Sequence, residues 1–193
     1  MAPETAGWGA TSVGPWTRRS RRTVYENAWL ALQHDEVTRP DGSPGIYGVV
    51  QFANVAVGVV PIDDRDRVAL VGQHRYTLDV MSWEIPEGGA PIGEDPLEGA
   101  MRELREETGL RAADWQLLGV YHTSNSVSDE EAFLFVATDL TEGTAQPEPS
   151  EELQVRWVDF SEALAMVADG AITDALTVIA LQTVALRRLA GTG

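Results

Sequence analysis

A single domain of mixed β-sheet flanked by helices, in the α/β or α+β class, is predicted from three features of the sequence. The first is length: 193 residues suit one domain and suffice to bury most of the surface an unfolded chain exposes. The second is a succession of short runs rich in β-branched residues, separated by turn residues. The third is one segment, 95–109, that carries both a helix start and a helix stop.

In chain order, residues 1–21 carry Gly, Pro, Ser and Thr with scattered Trp8 and Trp16, and are predicted to be a disordered tail. Thr23 to Val37 reads as two short strands. The turn-rich stretch from Arg39 to Gly45 leads to further strands at Ile46–Phe52 and Val55–Val60. Asp63, Asp64 and Asp66 mark a turn before strands at Val68–Gly72 and Met81–Ile85. Asp95 is an N-cap acid, Pro96 stands at the first helical position and Glu98 lies three residues past the cap, so a helix runs to about Thr108. Gly109 ends it, because glycine enters the left-handed region without the steric cost of a Cβ. Strands follow at Trp115–Tyr121, Ala132–Ala137 and, after a Pro/Glu-rich loop over 141–152, Leu153–Val158. Helices at Ser161–Ala168 and Thr173–Leu189 close the chain. Tyr25 and Trp29, as strand aromatics, read as core side chains ahead of base-stacking ones.

Charge narrows the function. With 14 Lys+Arg against 30 Asp+Glu the net charge is −16, which repels DNA or RNA and argues against general nucleic-acid binding. An enzyme handling phosphates on this background needs divalent cations and well-placed arginines. The chain has no cysteine, which removes disulfides, thiolate nucleophiles and Cys-ligated zinc and leaves oxygen-ligated metals. His34, His74 and His122 show no ligand spacing. Arg18, Arg19, Arg21 and Arg22 look like the basic start of a secretion signal, but no apolar core follows them. Asp174, Gln182, Arg187 and Arg188 interrupt the apolar stretch 171–190, which suits a packed helix and not a membrane span. A cytoplasmic protein without a membrane partner is expected.

Glu103, Glu106 and Glu107 stand at i, i+3 and i+4 of the predicted helix, on one face and roughly 5–6 Å apart at Cβ. An acidic helix face is ordinarily just solvated. Here, however, Gly88-Gly89 precedes the helix, Glu94 sits before its cap, Arg102 adjoins the trio and Gly109 ends it. Hard divalent cations favour clustered carboxylate and carbonyl oxygens, and a glycine loop lets a backbone carbonyl approach.

These residues resemble a known family. Gly88-x5-Glu94-x7-Arg102-Glu103-Leu104-x-Glu106-Glu107-x-Gly109-Leu110 is similar to the Nudix box at all nine specified positions. Gln73-His74-Arg75-Tyr76, Trp83-Glu84-Ile85-Pro86 and Gly170-x-Ile172-x-Asp174-Ala175-x-Thr177 resemble segments of its ADP-ribose pyrophosphatase branch, so that the likeness spans 22–190. The resemblance implies the Nudix fold, an α/β/α sandwich around a mixed β-sheet with an N-terminal antiparallel β extension. It also implies a homodimer with strands of 22–52 at its interface.

For the site, the resemblance implies Mg²⁺, with Mn²⁺ as a substitute, held by Glu103, Glu106 and Glu107 and by a backbone carbonyl near Glu87. Arg102 orients a box glutamate and Glu94 supports it. The general base is expected at Glu152 in preference to Glu151, with Glu106 as rival. Arg75 is a candidate phosphate clamp, against the reading of a salt bridge. Glu84 either lies near the substrate or pairs with an arginine. Ser128, Asp129 and Glu130 match the acidic end of the substrate loop. The implied reaction is hydrolysis of ADP-ribose to AMP and ribose 5-phosphate. The loop Tyr121–Glu130 lacks the proline frequent in that branch, which leaves GDP-mannose or a broad range of nucleotide sugars as the alternative. A non-catalytic Nudix module sensing nucleotides is the reading from another class, and the intact glutamate trio opposes it.

Overall fold

The computed structural model describes residues 10–145 and 153–191. They fall into two compact units, one formed by the described residues up to Ala53 with Ser124–Glu130, the other by Asn54–Thr123 with those from Glu131 on.

The first unit is an antiparallel sheet in the order β1 (Thr11–Val13), β2 (Trp16–Glu26), β3 (Leu30–Thr38), β4 (Pro44–Phe52). The predicted tail 1–21 is corrected here from Thr11 onward; residues 1–9 lie outside the described residues. The polar run of β2 is held by cross-strand side chains. Arg21 donates to both oxygens of the buried Asp35 at 2.7 and 2.8 Å, and Arg19 to Thr38 Oγ1 at 2.8 Å. The Asp35 hydrogen bond outweighs burial and raises the Arg21 guanidinium above its ordinary range. Trp16 packs edge-on against Tyr47 with centroids 5.7 Å apart. The segment 124–130 lies along β4: Val50 N donates to Val127 O at 2.8 Å and Phe52 N to Asp129 Oδ1 at 3.0 Å. Tyr25 and Trp29, expected in a core, are exposed. Trp29 sits in the β2–β3 turn, where Asn27 Oδ1 accepts its N–H at 2.8 Å.

The second unit has a mixed sheet ordered β8 (Glu87–Pro91), β5 (Asn54–Pro61), β10 (Glu131–Thr141), β9 (Arg111–His122), in which only β5 and β10 run parallel. An antiparallel sheet orders β11 (Gln154–Asp159), β6 (Arg67–Arg75) and β7 (Val80–Glu84). Strand periodicity divides the core into two. Val57 and Val59 of β5, Ala69 of β6 and Phe135 and Ala137 of β10 pack with Ala100 and Leu104 of α1 (Pro96–Thr108). Their neighbours Val60, Val68, Leu70 and Leu134 pack with Phe160 and Ala163 of α2 (Phe160–Ala168) and Ala180, Leu181 and Val184 of α3 (Ala175–Ala190). This is the expected α/β/α sandwich. The stretch around Gly88-Gly89 was expected to be a loop; it is strand β8, because β5 supplies a full antiparallel partner from Asn54 to Gly58. No helix among the described residues is long and apolar enough to cross a membrane.

Candidate active site

Helix α1 places the three box carboxylates. Asp95 Oδ1 accepts the Leu97 N–H at 3.0 Å, a cap of about 1 kcal/mol. Gly109, at φ 76°, terminates the helix with its N–H on Arg105 O. Glu107 is buried on the inner face, and its Oε2 accepts the Glu87 N–H at 3.1 Å, tying the last turn of α1 to the start of β8. Glu103 crosses Gly88 so closely that a Cβ at position 88 would lie 2.3 Å from its carboxyl carbon. Only glycine lets strand and carboxylate meet there.

Arg102 links the same elements. Its Nη1 donates to Glu103 Oε1 at 2.7 Å and Glu106 Oε2 at 3.4 Å, and its Nη2 to Gly89 O at 2.8 Å. Glu94 lies 3.9 Å from Nη2, and Arg105 holds the other Glu106 oxygen at 3.1 Å. Burial works against the Arg102 charge, but Glu103, then Glu106 and Glu94, outweigh it and raise the guanidinium above its ordinary range.

A second cluster adjoins β8. Arg75 Nε donates to Glu84 Oε1 at 2.9 Å, while Nη2 bonds both Glu84 and Glu87 Oε1, the latter at 2.7 Å. Gln73 Nε2 adds a bond to Glu84 Oε2 at 3.2 Å. Glu84 is thus paired with an arginine, and Arg75 is held in ion pairs. Burial opposes the Arg75 charge, yet Glu84 and Glu87 raise it above its ordinary range. Burial, then Asp174 and Glu84, push the Glu87 carboxyl well above the usual carboxylate range.

Asp174 belongs to the segment 170–177 that resembles the family, but the sequence reading assigns it no role in the site. It caps α3, taking the Thr177 N–H on Oδ2 at 2.7 Å, while Thr177 Oγ1 accepts the Ile85 N–H at 2.9 Å and docks the helix beside β7. One oxygen each from Glu84, Glu87 and Asp174 lies within 4.8 Å of the others. An N-cap acid before an apolar helix was a readable signal for the cap; the neighbours it acquires depend on how α3 docks.

Ser128, Asp129 and Glu130 belong to the first unit, where Asp129 is bonded to β4. Glu151 and Glu152 lie outside the described residues. Around Gly88 the donors are carboxylates with a strand backbone pressed against them, a set that fits a hard divalent cation.

Comparison with known proteins identifies relatives of this chain. Residues 53–178 match the NUDIX domain, and residues 16–50 match the nucleoside diphosphate sugar hydrolase N-terminal domain, so the N-terminal homology begins ahead of the expected position 22. The chain is 35% identical to an ADP-ribose pyrophosphatase of Mycobacterium tuberculosis over 163 residues, covering 82% of this chain and 78% of that one. It is 32% identical to a methanol dehydrogenase activator of Bacillus methanolicus, covering 85% and 89% respectively. A crystal structure described as an ADP compounds hydrolase superposes with a TM-score of 0.83 at 23% identity, over 95% of this chain and all of that one, and supports the fold.

Proposed function

From the premise that this chain belongs to the Nudix family, and is by type a pyrophosphohydrolase, we propose that it hydrolyses the pyrophosphate link of a nucleoside diphosphate sugar, ADP-ribose foremost. The observation that carries the reading is the meeting of Glu103 with Gly88 and of Glu107 with Glu87 N–H, which gathers box carboxylates and strand backbone at one place. The ADP-ribose pyrophosphatase relative and the nucleoside diphosphate sugar hydrolase match at 16–50 support the substrate class.

Glu103, Glu106 and Glu107, with a backbone carbonyl near Glu87, would hold Mg²⁺, or Mn²⁺ in its place. When bound there, the metal neutralises pyrophosphate charge and lowers the pKa of water. Arg102 fixes the rotamers of Glu103 and Glu106 against Gly89 O, so that these acids are oriented before substrate arrives. Arg75 reaches phosphate oxygens while Glu84 and Glu87 hold its guanidinium in place. Glu152 takes the proton of the attacking water, with Glu151 or Glu106 as the alternative base. The water oxygen bonds to one phosphorus, the bridging P–O bond breaks, and AMP and ribose 5-phosphate leave. Ser128, Asp129 and Glu130 are assigned to substrate on the sequence resemblance. The protein acts in the cytoplasm as a homodimer paired through its N-terminal strands, a reading supported by exposed Val24, Tyr25, Trp29 and Ile46.

The test is turnover of a panel comprising ADP-ribose, GDP-mannose, UDP-glucose, NADH, diadenosine polyphosphates and nucleoside triphosphates, each with Mg²⁺ and with EDTA. Highest kcat/KM on ADP-ribose, abolished by EDTA, is expected. Preference for GDP-mannose would move the substrate within the class, and no turnover of any compound would favour a sensing module.

A further inference from the structure

Beside the box, and sharing no side chain with the glutamate trio, we infer a second divalent-cation site formed by the side chains of Glu84, Glu87 and Asp174. Their ligand oxygens lie within 4.8 Å of one another. Oxygens on opposite sides of an octahedral Mg²⁺ are about 4.2 Å apart, and about 4.6–5.2 Å apart around Ca²⁺, so one hard cation reaches all three with little movement.

Two further observations point to a ligand. Glu87 Oε1 is taken by Arg75, while Glu87 Oε2 is buried and has no hydrogen-bond partner among the described residues, on a side chain only 10% exposed. Such an orphaned buried oxygen is destabilising if nothing meets it. Among the described residues, the carboxyl groups of Glu84, Glu87 and Asp174 share the single guanidinium of Arg75, a surplus of acid that a divalent cation would offset.

The scaffold suits the purpose. Asp174 gives Oδ2 to the α3 cap, which fixes its side chain, and Thr177 Oγ1 locks that cap to Ile85 at the end of β7, next to Glu84. Asp174 is part-buried, whereas Glu84 is buried. Glu87 therefore serves two cations in this scheme, one through its main chain at the box and the other through its carboxylate.

The probe is Mn²⁺ alone, titrated without nucleotide into the full chain and followed by the electron paramagnetic resonance signal of the free ion. Glu87→Gln removes the charged oxygen isosterically, and Asp174→Asn keeps a side chain able to cap α3. Each is expected to bind one Mn²⁺ fewer per chain, or to bind it at least about tenfold more weakly, with an unchanged far-ultraviolet circular dichroism spectrum. A Glu103→Gln/Glu107→Gln double variant should lose the box ion and keep this one, and Mn²⁺ should still raise its Tm. Wild-type stoichiometry and affinity in both Glu87→Gln and Asp174→Asn would overturn the second site and leave the box reading standing. Full Mn²⁺ binding by the double variant would instead overturn the box assignment, leaving the second site to the single variants.

Discussion

The described residues hold two arginine-centred carboxylate clusters, and they differ in depth and in sequence span. Arg102 gathers Glu94, Glu103 and Glu106 from a stretch of neighbouring residues, on side chains between 13% and 32% exposed. Arg75 of β6 gathers Glu84 at 2% and Glu87 at 10% exposure, from β7 and β8, with Asp174 of α3 beside them. Water screens the first cluster, so its acids can be numerous and repel one another until a cation or substrate arrives. In the second, Glu84 and Glu87 lie deeper, so the charge of each depends on a specific partner. The first thereby tolerates surplus acid before a ligand arrives, while the second sets its acids against one arginine held between them.

Removing the arginine should separate the two most sharply. Arg75→Met strands Glu84 in the interior without its cation, and is expected to lower unfolding free energy by about 3 kcal/mol or more, measured as a shift in urea midpoint. A wild-type midpoint would mean that the buried pair is not coupled to folding. Glu103→Gln should leave the midpoint within about 0.5 kcal/mol and reduce kcat/KM on a nucleotide sugar by more than about a hundredfold. A loss of stability in place of activity would place Glu103 with the structural cluster. Arg102→Met is expected to weaken Mn²⁺ binding by roughly 10–100-fold, read by titration, because the ligands remain but lose their orientation. The smallest effect is at the helix start: Asp95→Ala should cost about 1 kcal/mol in unfolding free energy with activity at 25 °C unchanged, and an activity loss there would show that box geometry depends on the cap.

The contrast also explains what could be read from the sequence. Helix α1 and the Arg102 cluster were legible because capping residues, i, i+3 and i+4 spacing and the terminating Gly109 are all local signals. The β-branched run over Val55–Val60 likewise indicated strand β5. Strand β8 was not legible, since two glycines lower strand propensity and only pairing with β5 reveals it. The early strands were missed because Arg19 and Arg21 look solvated until Thr38 and Asp35 are placed opposite them. Asp174 stayed hidden for the same reason: its cap role is local, but its place beside Glu84 and Glu87 follows from the Thr177–Ile85 bond across the fold. The ion pairs of Arg75 with Glu84 and Glu87 were likewise beyond the sequence, because they depend on β7 and β8 docking beside β6.

The most direct test of the central claim is product analysis of ADP-ribose incubated with the purified chain, by ³¹P nuclear magnetic resonance with Mg²⁺ and with EDTA. Equal amounts of AMP and ribose 5-phosphate with Mg²⁺, and intact ADP-ribose with EDTA, are predicted. Cleavage that persists in EDTA, or products other than two monophosphates, would contradict metal-dependent hydrolysis of the pyrophosphate link at the Glu103–Gly88 site.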